Sequence, residues 1–170
     1  MGFLDFLTST KRAPAGVTPL SPQEVRDRLM GLNRPDAPYR LVDGSAEKVD
    51  FIAEWKIDDP EWHKGLGGAN VRTTFRIFLK LHPEAREVRA VDRQYTVSWS
   101  GDQPTLSAAV STFRGQTRSV EVSRTYSFGK TAEPVGERAY RFDTNELKKP
   151  IQEAVTSCGW TYRGVVFGKL

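Results

Sequence analysis

The chain has 170 residues, 38% of them hydrophobic and 27% charged, with a mean hydropathy of −0.49. That length suffices for one domain with its own core, and no window approaches the ~20 apolar residues of a bilayer-spanning helix, which excludes an integral helical membrane protein. The formal charge is +4, and it is unevenly placed: residues 72–130 carry 10 Lys and Arg against 5 Asp and Glu, while residues 1–71 carry 9 against 11.

A basic middle attracts anions such as nucleic acid, anionic lipid or an acidic protein, or else serves as a solvated face. Cys158 is the lone cysteine, so no intramolecular disulfide forms. Met1–Leu7 is too short for a secretory leader and contains Asp5. A reducing, cytoplasmic setting is therefore the expectation.

Residues 1–20 read as an amphipathic segment and linker, ahead of a single mostly-β domain over 21–170. Phe3, Leu4, Phe6 and Leu7 fall at helical spacing, a pattern that serves either as a peripheral membrane or partner anchor or as a turn docked on its own domain. Ser21-Pro22-Gln23-Glu24 is a helix start with a capping box, and Val25, Leu29 and Leu32 form its inner stripe as far as about Met30.

From Pro38 the period becomes two. Tyr39–Val42 is a short strand, and Glu47–Ile57 places Val49, Phe51, Ala53, Trp55 and Ile57 on one face. Val71–Leu81 alternates throughout: Val71, Thr73, Phe75, Ile77, Leu79 and Leu81 oppose Arg72, Thr74, Arg76, Phe78 and Lys80. This is the central strand, with one packed and one basic face. Further strands are expected near Glu87–Val91, Gln94–Ser100, Thr105–Thr112, Ser119–Phe128 and Arg138–Phe142, with glycines among the breaks.

Helical character returns over 144–158, where Leu147, Ile151, Ala154, Val155 and Cys158 make a stripe. Pro150 predicts a kink in the first turn or a later start. Trp160–Phe167 closes the chain as a strand apolar on both sides, inserted beside the core. The expected fold is thus α+β and mostly β: a curved antiparallel sheet or partial β-barrel with one N-terminal helix and one near the C-terminus.

Two groups of residues carry candidate binding chemistry. In the first, V-x-R-x-Y-[ST] occurs at Val91–Thr96 and again at Val122–Ser127. It places Arg93 on one strand face with Tyr95 and Trp99, and Arg124 with Tyr126. A cupped interior with these groups takes an anionic head and an apolar body; a bulge that reverses the parity turns them outward instead. The Arg-x-Tyr pairs resemble the carboxylate clamp of fatty-acid-binding β-barrels over two tripeptides, while the helix placement departs from that family.

The second group is Arg72, Arg76, Phe78 and Lys80 on the central strand, with Trp62 on the preceding loop. Basic residues interleaved with an aromatic suit single-stranded nucleic acid. The loop from Asp58 to Asn70 gathers Asp58, Asp59, Glu61, His63 and Gly65–Gly68, but one histidine among acids is a thin metal set, and the glycines lead into a strand rather than a helix. No metal and no cofactor is expected. His82 reads as a turn residue before Pro83, and no nucleophile elbow is present.

The leading expectation is a non-catalytic intracellular binding module taking an anionic or amphipathic ligand or partner on its basic β region. The alternatives are a single-stranded nucleic-acid-binding sheet and a hydrolase-like enzyme using Glu61 and His63.

Overall fold

The computed structural model describes residues 5, 8–63, 71–108, 120–122, 141–165 and 170. Helix α1 spans Pro22–Met30 and β1 Tyr39–Asp43; β2 is Phe51–Trp55, α2 the single turn Pro60–His63, and β3 Thr73–His82. They are followed by β4, Glu87–Ser100, and β5, Gln103–Ala108. Then come β6, Val120–Val122, β7, Arg141–Asp143, helix α3, Thr144–Ser157, and β8, Thr161–Gly164. The architecture is α+β and mostly sheet, with antiparallel strands β1-β2-β3-β4-β5 forming a curled half-barrel and β8 joined to β4. Strands β6 and β7 pair separately. Among the described residues no helix is long and apolar enough to cross a membrane.

Local chemistry sets the ends of α1. The Ser21 hydroxyl accepts from the Glu24 N–H at 3.3 Å, and the Glu24 carboxylate accepts from the Ser21 N–H at 2.8 Å, so two otherwise orphaned donors are satisfied. Val25 and Leu29 are fully buried and Leu32 partly so, as the spacing requires. Helix α3 runs without a late start from Thr144. Pro150 lies seven residues in and removes one backbone donor, but Leu147, Ile151, Ala154, Val155 and, just past the helix end, Cys158 still form one buried stripe.

Gly159 then turns the chain at φ +74. A Cβ there would stand 2.7 Å from Pro19 Cα, so the position needs both the left-handed conformation and the missing side chain.

The main core lies between the helices and one face of the sheet. Phe75, Ile77, Leu79 and Leu81 of β3 meet Phe51, Ala53 and Trp55 of β2 and the stripes of α1 and α3. The expected parity of the central strand holds. Val49, expected on the face of Phe51, instead packs with Ile52 and Phe78 on the other side of the sheet. The reason is local: a turn over Ser45–Glu47 ends in Lys48 at φ 60, and regular pairing of β2 begins only at Phe51.

The predicted break between two strands near Asp92 is absent: β4 continues for 14 residues. With β3 along one edge, its length accommodates two neighbours end to end on the other. There β5 pairs residues 95–100, and β8 runs parallel beside Glu87–Ala90. The far side of β8 is met by Lys11, whose N–H and C=O both bond Tyr162 at 2.8 Å. Residues 8–20 thus lie against the domain, with Ser9 C=O accepting from Gln152 at 2.9 Å and Leu20 C=O accepting from the Trp160 indole at 2.9 Å.

Strand β1 is an edge, and its exposed backbone is answered by a side chain. Asn33 donates to Leu41 C=O at 2.8 Å and accepts from Leu41 N–H at 2.7 Å, imitating one residue of a neighbouring strand. Asn33→Ala is expected to cost about 1 kcal/mol and to make the domain self-associate in a concentration-dependent way, measurable by sedimentation velocity.

Candidate functional site

The sheet face away from the helices carries the basic side chains of β3. Register, which periodicity alone cannot supply, organises them. Arg40 of β1 stands opposite Glu54 of β2, Glu54 opposite Arg76 of β3, and Arg76 opposite Arg93 of β4. Directly opposed residues share a face, so these four form one row across four strands: Arg, Glu, Arg, Arg.

Glu54 is the centre of that row and is nearly buried. One of its oxygens accepts from Arg40 Nε at 2.9 Å and Nη2 at 2.8 Å, and the other lies 2.7 Å from Arg76 Nη2. Arg40 Nη2 also donates to both oxygens of Asp58 at 3.0 Å. Burial works against the Arg40 charge, yet the bonds to Asp58 and Glu54 outweigh it and hold the guanidinium above its ordinary pKa.

Opposed like charges repel, and the Arg76–Arg93 pair is offset by rings and a loop acid. The Arg76 guanidinium lies 5.3 Å from the centre of the Tyr95 ring, and that of Arg93 lies 4.2 Å from the Phe78 ring. Glu47 reaches to 3.9 Å of Arg93. Arg40 and Arg76 therefore share one strand carboxylate, and two exposed loop carboxylates complete the balance, Asp58 at Arg40 and Glu47 at Arg93.

Next to Arg40 and Arg76 is a cleft of about 170 Å³. Trp55, Ile57, Pro104 and Leu106 supply its apolar wall, and Thr74, Gln103, Glu54 and Asp58 complete the polar side. The sheet curls here, which brings β5 toward the end of β2.

Among the residues singled out in the sequence, Arg93 and Tyr95 share a face as alternation requires. That face is opposite the helices; Arg93 is 44% exposed there and is not enclosed in the core. Trp99 is farther along β4, its indole donating to Val71 C=O at 2.7 Å. Arg124 and Tyr126 lie outside the described residues, as do Phe3, Leu4, Phe6, Leu7 and Gly65–Gly68.

Arg72, just before β3, is exposed; on β3, Arg76 belongs to the row and Lys80 donates to Leu170 C=O at 3.3 Å. Phe78 is only 1% exposed, covered by Arg93, so it offers no free ring to a nucleic-acid base. Trp62 donates to Pro35 C=O at 3.3 Å.

Glu61 and His63 both lie on the single turn α2. His63 packs its ring 5.0 Å from that of Trp99, with Nδ1 3.2 Å from Ile57 C=O and Nε2 3.7 Å from Asp102, while Glu61 is exposed. Among the described residues no group of three or more His, Cys, Asp or Glu side chains is placed to hold a metal.

Arg40 and Glu54 were not distinguishable in the sequence. Glu54 reads there as one of several charges alternating with apolar residues, and only pairing between strands gathers the row. A second polar group was likewise hidden. Asp92 and Lys148, both buried, meet at 2.6 Å between β4 and α3. Buried Tyr162 lies beside them, its acidity suppressed by burial and further by the Asp92 charge.

Comparison with known proteins adds nothing to this geometry: no family model, no curated protein and no solved structure matches the chain.

Proposed function

We propose that this domain is a non-catalytic binding module that takes an anionic ligand, or an anionic group of a partner, across the Arg40–Glu54–Arg76–Arg93 row. The observation that carries this reading is a row of three guanidiniums on one sheet face with a single strand carboxylate, its remaining charge met, among the described residues, by two exposed loop acids. Exposed ion pairs contribute little, so an incoming carboxylate or phosphate exchanges with Asp58 or Glu47 at small cost. Guanidinium forks then hold it in two places. A cytoplasmic setting accompanies the proposal, in keeping with the single buried thiol of Cys158. The nucleic-acid reading has less support, because its aromatic, Phe78, is covered.

The test is an NMR titration of ¹⁵N-labelled protein with inorganic phosphate and with acetate, following the arginine Nε–Hε signals. Those of Arg40, Arg76 and Arg93 are expected to move, with affinity falling as salt rises. Arg76→Ala is expected to weaken binding about fivefold, the size of one partly exposed charge-assisted contact. Unmoved arginine signals, or an unchanged affinity in Arg76→Ala, would overturn the reading.

A further inference from the structure

We infer that the cleft beside Arg40 and Arg76 is a site for a small organic carboxylate with an apolar body, and that Asp58 is the internal carboxylate such a ligand displaces. This rests on the anion-binding reading above and narrows it to one place and one ligand class.

Size and lining set the class. The cleft volume of about 170 Å³ is comparable to the ~150 Å³ engineered cavity that holds benzene, so one ring or a short alkyl chain fits. A bare inorganic anion would leave the wall of Trp55, Ile57, Pro104 and Leu106 against water, and a hydrocarbon would make no use of the guanidiniums. A carboxylate joined to a small apolar group meets both requirements.

Hydrogen bonding points the same way. Arg76 lines the cleft, and its buried Nε has no hydrogen-bond partner among the described residues. Arg40 Nη2 spends its bonds to the loop on the two oxygens of Asp58, the geometry a ligand carboxylate would adopt. The two acids differ in how readily they yield. Glu54 is nearly buried and bound by both arginines, whereas Asp58 is 45% exposed and bound by one. Displacement therefore falls on Asp58, which turns outward without leaving a charge buried.

Asp58→Asn tests this directly, since an exposed substitution leaves the fold intact. The parent and the variant are titrated with sodium benzoate by calorimetry, and the bound ring is located by nuclear Overhauser effects to methyl groups. Contacts to Leu106 and Ile57 are expected in both proteins, with about fivefold tighter binding in the variant once the competing carboxylate is gone. Benzoate bound without those contacts, an affinity unchanged or weakened in the variant, or no binding by either protein would overturn the inference. A phosphate titration in parallel separates the two proposals. Arginine signals that move with phosphate while benzoate fails leave the anion-binding reading standing and remove this one; signals unmoved by every anion remove both.

Discussion

Lys148→Met is expected to lower the stability of the domain by about 3–5 kcal/mol, more than any single substitution in the arginine row. Its ammonium lies 2.6 Å from Asp92 in a region where the two side chains are 4% and 0% exposed. Removing it takes away the positive charge 2.6 Å from a carboxylate held in the core, so the solvation that carboxylate gave up is offset less.

Replacing both partners, as in Asp92→Leu with Lys148→Met, is expected to recover most of the loss, because two apolar groups require no compensation. Urea unfolding of the two single variants and the double variant gives the coupling directly. A double variant as unstable as the sum of the singles would mean that the pair acts through its neighbours. The pair also joins the sheet to α3, so it is expected to hold that helix to one position on the core.

Glu54→Ala is expected to cost about 2 kcal/mol and to be partly reversed by small carboxylates. The cost is below that of the core pair because Arg40 and Arg76 keep about a third of their side-chain surface in water. Removing the shared carboxylate leaves three arginines in one row with no strand acid between them. Formate or acetate can enter the vacated space and stabilise the folded state by mass action. The melting temperature of Glu54→Ala should therefore rise with acetate by more than that of the parent, with chloride at equal ionic strength as the control. An equal rise in both would mean that the row does not discriminate a carboxylate from a general salt effect.

These two groups show where a sequence reading reaches and where it stops. Alternation along Val71–Leu81 separates a packed face from a basic one, because successive residues of any strand point to opposite sides whatever their neighbours are. Ser21, Pro22 and Glu24 define a helix start within four residues, and the stripe from Leu147 to Cys158 defines a buried helix face within twelve. All of these are local regularities, complete within one element. The row of Arg40, Glu54, Arg76 and Arg93 belongs to four elements, and shifting any strand by one residue would send its side chain to the other face.

Asp92 illustrates the limit from the other direction. Between Val91 and Arg93 it looks like a polar interruption, and a break in the strand is the natural inference. Its partner lies 56 residues away on a helix whose buried stripe of Leu147, Ile151, Ala154 and Val155 is apolar. A buried charge is tolerable only once that partner is in place, and nothing in the local pattern announces it.

By itself, then, the sequence determined the fold class, the two principal helices, the parity of the central strand and the concentration of positive charge in residues 72–130. Tertiary structure alone decided which arginines stand together, that Glu54 rather than a loop acid lies between them, that Phe78 is covered by Arg93, and that β8 enters parallel beside β4. The division follows from the physics. Side-chain direction and capping depend on neighbours within a few bonds along the chain, whereas register and burial depend on contacts whose partners are chosen only when the whole core closes.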